Sequence, residues 1–163
     1  MTDLLTCKSE LLGVLADYQK RLALSREIGP DYYEPGMMEN PDQYLGIFEE
    51  DRNRITLRCD VKGLRYENRT PRLEYLSIGD PITILRDATN PFNSNNFAVS
   101  DSNGMSLGNL PAPLCNALAP LYDAGCVSVA STTVSYIEKI SQRSRYAKQG
   151  VLFVELVLEL KGV

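Results

Sequence analysis

Two aromatic side chains stand where the chain turns. Tyr66 closes the run Gly63-Leu64-Arg65-Tyr66, and Phe92 lies inside Asn90-Pro91-Phe92-Asn93-Ser94-Asn95-Asn96. Gly63 follows an alternating segment and invites a bend or bulge, after which Arg65 and Tyr66 are presented together. Asn favours left-handed turn conformations and Pro91 fixes one φ angle, so the second segment is a shaped loop that displays Phe92 among amide side chains. A ring beside a cation or an amide can hold an unpaired base: the ring stacks, the cation tracks the backbone, and stacking contributes roughly 1–3 kcal/mol per base. The plainer role for Tyr66 and Phe92 is as half-buried rings that close a barrel.

The elements around these turns read mostly as strands. Ile55, Leu57, Cys59, Val61 and Gly63 alternate with Arg54, Thr56, Arg58, Asp60 and Lys62, the period of a half-buried strand. Short apolar runs at 82–85, 97–99 and 106–110 follow, bounded by turn residues such as Asp101-Ser102-Asn103-Gly104. Pro111-Ala112-Pro113 starts a helix predicted to reach about Asp123, with Gly125 just past its end. Pro120 predicts a kinked or shortened last turn. Cys126 to Lys139 and Val151 to Leu160 read as two long strands joined by a polar, basic segment, the second strand with one well-buried face. The predicted fold is mostly β with some α. It is a small, partly open β-barrel of the OB or SH3-like kind, with one or two short helices and an added N-terminal helix.

Four short motifs in order resemble one known family, the HIRAN domain. They are Gly63-Leu64-Arg65-Tyr66; Leu85-Arg86-Asp87-Ala88-Thr89-Asn90-Pro91-Phe92-Asn93-Ser94-Asn95; Asn103-Gly104 with Gly108-Asn109-Leu110-Pro111; and Leu118-Ala119-Pro120-Leu121. The resemblance runs from near Arg54 to the C-terminus. It implies a pocket for the 3′ end of single-stranded DNA. Tyr66 would stack on the terminal base, Arg65 approach a phosphate, and Phe92 line the pocket. Asn93 stands where the family places an aspartate against the 3′-hydroxyl, and Asn109 where histidine is frequent after the glycine. Asn90 belongs to the same binding set, and Phe153 is the expected second stacking ring.

The rest of the chain divides by composition. Residues 1–26 carry Leu4, Cys7, Leu11, Val14 and Tyr18 at heptad-like spacing, widened by Leu5, Leu12, Leu15 and Leu22. That stripe predicts a helix packed on its own domain or, on a second reading, a dimerisation helix. Residues 27–52 form an acidic, proline- and tyrosine-containing arm, with eight acidic residues and no basic one over 27–51. Residues 53–163 are the barrel. The whole chain has a net charge of −4, yet without those eight charges the remainder is mildly positive. Its bases group as Arg52, Arg54, Arg58, Lys62, Arg65, Arg69 and Arg72, and as Lys139, Arg143, Arg145 and Lys148. Such groups are either a solvated strand face and hairpin tip or a local binding patch.

Several classes of function are disfavoured. There is no histidine in the chain, so Ser-His-Asp and Cys-His pairings are out of reach and the commonest neutral-pH base is missing. No Gly-rich phosphate loop is present. Cys7, Cys59, Cys115 and Cys126 lack the close spacing of a zinc site and read as buried, reduced thiols of a cytoplasmic protein. No apolar run reaches membrane-spanning length, and Asp3 and Lys8 interrupt any leader-like opening. No cofactor is expected. The expectation is a non-enzymatic module that binds nucleic acid, most specifically single-stranded DNA and its 3′ end. The alternative is a protein-interaction or self-assembly module that keeps the barrel, docking a partner or itself through the N-terminal helix.

Overall fold

Ile55, Leu57 and Cys59 are buried while Arg54, Thr56 and Arg58 between them are half-buried, so the period-two pattern does set the faces of β2 (Arg54–Asp60). The computed structural model describes residues 53–142 and 149–161, together with 47–49 and, near the N-terminus, 6, 9–13 and 16. β2 pairs antiparallel with β1 (Ile47–Glu49) on one side and with β7 (Val151–Leu160) on the other. β7 in turn pairs with β6 (Val127–Glu138), giving a four-stranded sheet in the order β1-β2-β7-β6. On its outer face, cross-strand register sets Arg54 against Glu159 at 2.7 Å and Arg58 against Glu155 at 2.9 Å. A second, three-stranded sheet runs β3 (Thr83–Asp87), β4 (Asn96–Ser100) and β5 (Ser106–Asn109), all antiparallel.

Two short backbone seams join the sheets into a partly open barrel. At one, Lys62 and Asn109 exchange both backbone hydrogen bonds, at 2.8 and 2.9 Å, linking the end of β2 to the end of β5. At the other, the approach to β3 meets β6: Gly79 N–H donates to Val134 O, Val134 N–H to Asp80 O, and Ile82 N–H to Thr132 O. The register of β6 shifts twice near this seam, between Val129 and Ser131 and between Val134 and Tyr136. Such bulges bend and twist a strand, which lets an edge strand turn toward the second sheet.

Helix α2 (Ala112–Asp123) packs on β4 and β6, burying Leu114, Cys115, Leu118, Ala119 and Leu121. It runs through Pro120 to Asp123 rather than ending early; Pro120 is exposed, so its missing N–H leaves no gap in a buried face. Gly125, at φ +79°, reverses the chain beyond it. An element with no sequence signal precedes β3: the single turn α1 (Arg69–Arg72), followed by a 3₁₀ turn at Leu73–Tyr75. Four residues are too few for a helical period to show. α1 is held by tertiary bonds instead, with Thr70 Oγ1 donating to Leu64 O and accepting from Gly150 N–H. At the N-terminus residues 9–13 are helical, and Leu11 lies in the core at 1 % exposure. Most of the acidic arm lies outside the described residues; 47–49 dock as β1. Among the described residues no helix is long and apolar enough to cross a membrane.

Cys59, Cys115 and Cys126 are buried free thiols. Burial pushes the Cys59 thiol well up, and the neighbouring Asp60 and Cys115 add to it. Burial also raises Cys115, against a weaker pull from a backbone hydrogen bond at Phe97. A thiol that ionises later folded than unfolded stabilises the fold fully below the unfolded pKa, and that stability is lost as pH rises above it. The unfolding free energy should therefore fall on the alkaline side, and urea titrations should show a flatter alkaline limb for Cys59→Val.

The close seam makes a sharper demand. A Cβ at Gly108, where φ is +147°, would lie 2.2 Å from Lys62 O, whereas one at Gly79 (φ +92°) would meet nothing within 4 Å. Gly108→Ala should destabilise the domain by several kcal/mol, as severe backbone clashes do, and Gly79→Ala by about 1 kcal/mol from its left-handed backbone alone. Comparing urea midpoints of the two variants checks this.

Candidate functional site

The Tyr66 turn begins at Gly63, whose φ of +87° suits glycine alone, and closes with Tyr66 N–H donating to Gly63 O. Glu67 and Asn68 follow, both left-handed at φ 54° and 56°. Arg69 pins the turn from beneath: Nη1 donates to Gly63 O at 3.1 Å, Nε to Ser106 Oγ at 3.2 Å and Nη2 to Glu67 at 2.6 Å. Arg72 adds a short bond to Ser106 O. Tyr66 is thereby held outward, 57 % exposed. The Arg65 guanidinium lies 5.1 Å from its ring centroid, covering one face by a cation–π contact.

The β3–β4 loop is built by its own amides. Asn90 Oδ1 accepts from the N–H groups of Phe92 and Asn93, both at 3.0 Å, and Asn93 Oδ1 accepts from Asn95 N–H. These are Asx turns, the reason asparagine shapes such loops. Asn116 of α2 accepts from Asn93 Nδ2 at 3.1 Å and from Asn95 Nδ2 at 3.4 Å, tying the loop to the helix. Phe92 is 95 % exposed. Arg86 anchors the base of the loop. It forks onto Asp123 at 3.0 and 3.1 Å, donates to Ser94 O and Asn96 O, and stands 5.6 Å over the Phe97 ring. The Asp123 bond raises its already high pKa further.

The two turns share one polar network. Asn96 is 6 % exposed, and its Nδ2 donates to Asp87 Oδ2 at 3.2 Å and to Asn109 Oδ1 at 2.8 Å. Asp87 Oδ2 also accepts from Asn90 Nδ2. Asn109 carries the backbone seam to Lys62, next to Gly63. Asn90, Phe92, Asn93, Asn109, Arg65 and Tyr66 thus belong to segments linked through Asp87 and Asn96. Neither Asp87 nor Asn96 stood out in the sequence; Asp87 was one motif letter and Asn96 one of several loop asparagines.

One expectation needs correction. Phe153 is fully buried, its ring edge-on to Tyr136 at 6.1 Å, rather than a surface ring. β7 lies between β2 and β6, and its first four residues are covered on both faces, so the alternation seen in its sequence fails there. Of the two readings of the first basic group, solvated strand face or binding patch, the described pairs bear on the second. Arg54 and Arg58 face Glu159 and Glu155, Lys62 meets Asp60 at 2.5 Å, Arg69 meets Glu67, and Arg72 faces a carbonyl. Arg52 and residues 143–148 lie outside the described residues, and Lys139 Nζ donates to Glu74 O. A shallow depression of about 480 Å³, lined by Asn53, Arg54, Glu159, Leu160 and Lys161, takes in none of the turn residues. Among the described residues no cluster of metal-ligating side chains occurs.

The HIRAN domain family model matches residues 55–152, more than half of the chain. The chain belongs to the HIRAN domain family. A crystal structure of a Lactobacillus plantarum protein shares the fold at a TM-score of 0.50 and 20 % identity, covering 64 % of this chain and 95 % of that one. The crystal structure of the HIRAN domain of human HLTF matches at a TM-score of 0.45 and 23 % identity, over 64 % of this chain and 76 % of that one. An NMR structure of the HLTF domain in its DNA-bound conformation matches at 0.40 and 20 % identity, over 65 % and 76 %. No curated protein matches the chain. The matched span of this HIRAN domain contains both turns and the network between them.

Arg86→Lys keeps the charge and loses the fork. It should cost about 0.5–1 kcal/mol, the scale of an ion pair whose carboxylate is exposed to solvent. Amide exchange should speed up at residues 94–96 more than elsewhere in the sheet, which mass spectrometry of exchange would read.

Proposed function

We propose that this HIRAN domain is a non-enzymatic module that binds nucleic acid, in its finest form single-stranded DNA near a 3′ end. The observation that carries the reading is the outward display of Tyr66 and Phe92, 57 % and 95 % exposed, on two turns tied to one polar network around the buried Asn96. One base stacks on the open face of Tyr66 while Arg65 backs the other face and stays within reach of a phosphate. Phe92 supplies a second apolar wall. Asn109 Nδ2, which has no hydrogen-bond partner among the described residues, is a donor for a ligand oxygen, and the amide of Asn93 takes the place of a carboxylate at the sugar terminus. The HLTF domain's DNA-bound conformation makes DNA the first ligand to try.

A specific observation favours the second reading, a protein-interaction module. Most described cations of the first basic group are already paired with acids or carbonyls, which leaves little free positive charge for a phosphate track. Titration of a short labelled single strand, with free and blocked 3′ ends, separates the two. On the DNA reading, binding weakens with salt by a shallow slope of about −0.7 for each phosphate contacted. Tyr66→Ala lowers affinity about tenfold or more, the loss of one stacked base. Blocking the 3′-hydroxyl weakens binding further. No binding at micromolar protein, or binding indifferent to salt and to Tyr66→Ala, would leave the interaction module standing.

A further inference from the structure

Asn96 is a buried polar side chain at the head of β4 that touches neither exposed ring. Its amide uses both protons: one bond goes to Asp87 Oδ2 at 3.2 Å, the other to Asn109 Oδ1 at 2.8 Å. On the first side, Asp87 Oδ2 also holds Asn90 Nδ2, and Asn90 Oδ1 fixes the backbone N–H groups of Phe92 and Asn93. On the second side, Asn109 exchanges backbone bonds with Lys62, and Lys62 precedes Gly63, where the Tyr66 turn begins. Gly63 lies against the same residue, since a Cβ there would come within 3.6 Å of Asn109 Nδ2. Asn96 itself is held by its N–H donating to Asn93 O and by its carbonyl accepting from Arg86 Nη1. Its Oδ1 faces the Cys115 thiol at 4.0 Å.

We infer that Asn96 is a positioning residue, which fixes the Phe92 loop and the Tyr66 turn relative to each other so that both rings meet one ligand. The physical reason is the chemistry of the amide. Only a side chain with two N–H donors on one atom can satisfy a carboxylate oxygen on one flank and a carbonyl oxygen on the other. A hydroxyl has one proton to give, and a carboxylate has none and would face Asp87 as a like charge. Because Asn96 is buried and its partners Asp87 and Asn109 are half-buried, losing one of these bonds leaves a partly covered group unsatisfied and costs more than the bond contributes. The coupling rests on the proposed binding role for its use, and on the hydrogen-bond geometry for its existence.

The experiment therefore has a ligand-free arm and a ligand arm. In the free protein, Asn96→Ala is expected to shift the backbone amide resonances of both 90–93 and 63–66 in ¹⁵N–¹H spectra. Asn116→Ala, which loosens the same loop from the helix side, is expected to shift 93–95 and leave 63–66 in place. Shifts from Asn96→Ala confined to 87–96 would overturn the inference, whatever the protein binds. Should Asn96→Ala fail to fold, Asn109→Ala removes the same bond from its other end and must then shift 90–93; unmoved resonances there overturn it equally.

In the ligand arm, a single-stranded oligonucleotide with a free 3′ end is titrated into Tyr66→Ala, Phe92→Ala and the double variant. In the parent the two losses should combine to less than their product, because both rings serve one base. In Asn96→Ala they should multiply, each ring acting alone. A preserved shortfall in Asn96→Ala overturns the positioning role. If the parent binds no oligonucleotide, the proposed function fails by itself, and the resonance shifts still decide whether Asn96 couples the turns.

Discussion

Lys62 and Asn109 exchange two backbone hydrogen bonds across a gap only glycine can leave open. That contact joins the two sheets into one barrel and also sets the geometry of the face that carries the Tyr66 turn and Asn109. β2 ends at it, the Gly63 turn starts from it, and β5 delivers Asn109 into the polar network through it. The second seam, between residues 79–82 and β6, closes the other side and depends on bulges that bend β6 inward. Neither seam is a full strand ladder, so the barrel stays partly open and α2 packs over β4 and β6.

The face so formed has an uneven distribution of charge. Arginines are its chief structural fasteners. Arg69 and Arg72 staple the Tyr66 turn to Ser106, and Arg86 locks the β3–β4 loop to α2. A guanidinium offers a planar set of donors, so one residue can satisfy several carbonyls and a carboxylate together, which an ammonium cannot. Among the described residues, the cations of the first basic group are consequently engaged within the fold, apart from Arg65, which rests on Tyr66. What the surface offers is rings and amides more than charge. That chemistry suits a short, locally gripped ligand better than a long phosphate track.

The buried thiols fit the same economy of polar groups. Cys59 and Cys115 sit in the core with raised pKa values, so they act as small apolar fillers that stay protonated. The single buried polar atom among the described residues without a partner, Thr132 Oγ1, lies on the bulged stretch of β6, where the ladder is already irregular.

The sequence by itself determined the strands from β2 onward, α2, the shaped Phe92 loop and the family, because these depend on local rules: alternation in β2, proline and glycine at the ends of α2, and Asx turns in the loop. It also determined that Tyr66 and Phe92 stand in turns. Only the tertiary structure decided which charges are free, since Arg54 and Glu159 meet across strands far apart in the chain. It decided too that Phe153 is covered, because β7 is central and its burial comes from neighbours on both sides. α1 was invisible for a related reason, its single turn being held by Leu64 and Gly150 rather than by its own propensity. The linkage of the two aromatic turns belongs to this second class. Asn96 shows no periodicity and no motif spacing, and its role exists only where three strands bring Asp87, Asn96 and Asn109 side by side.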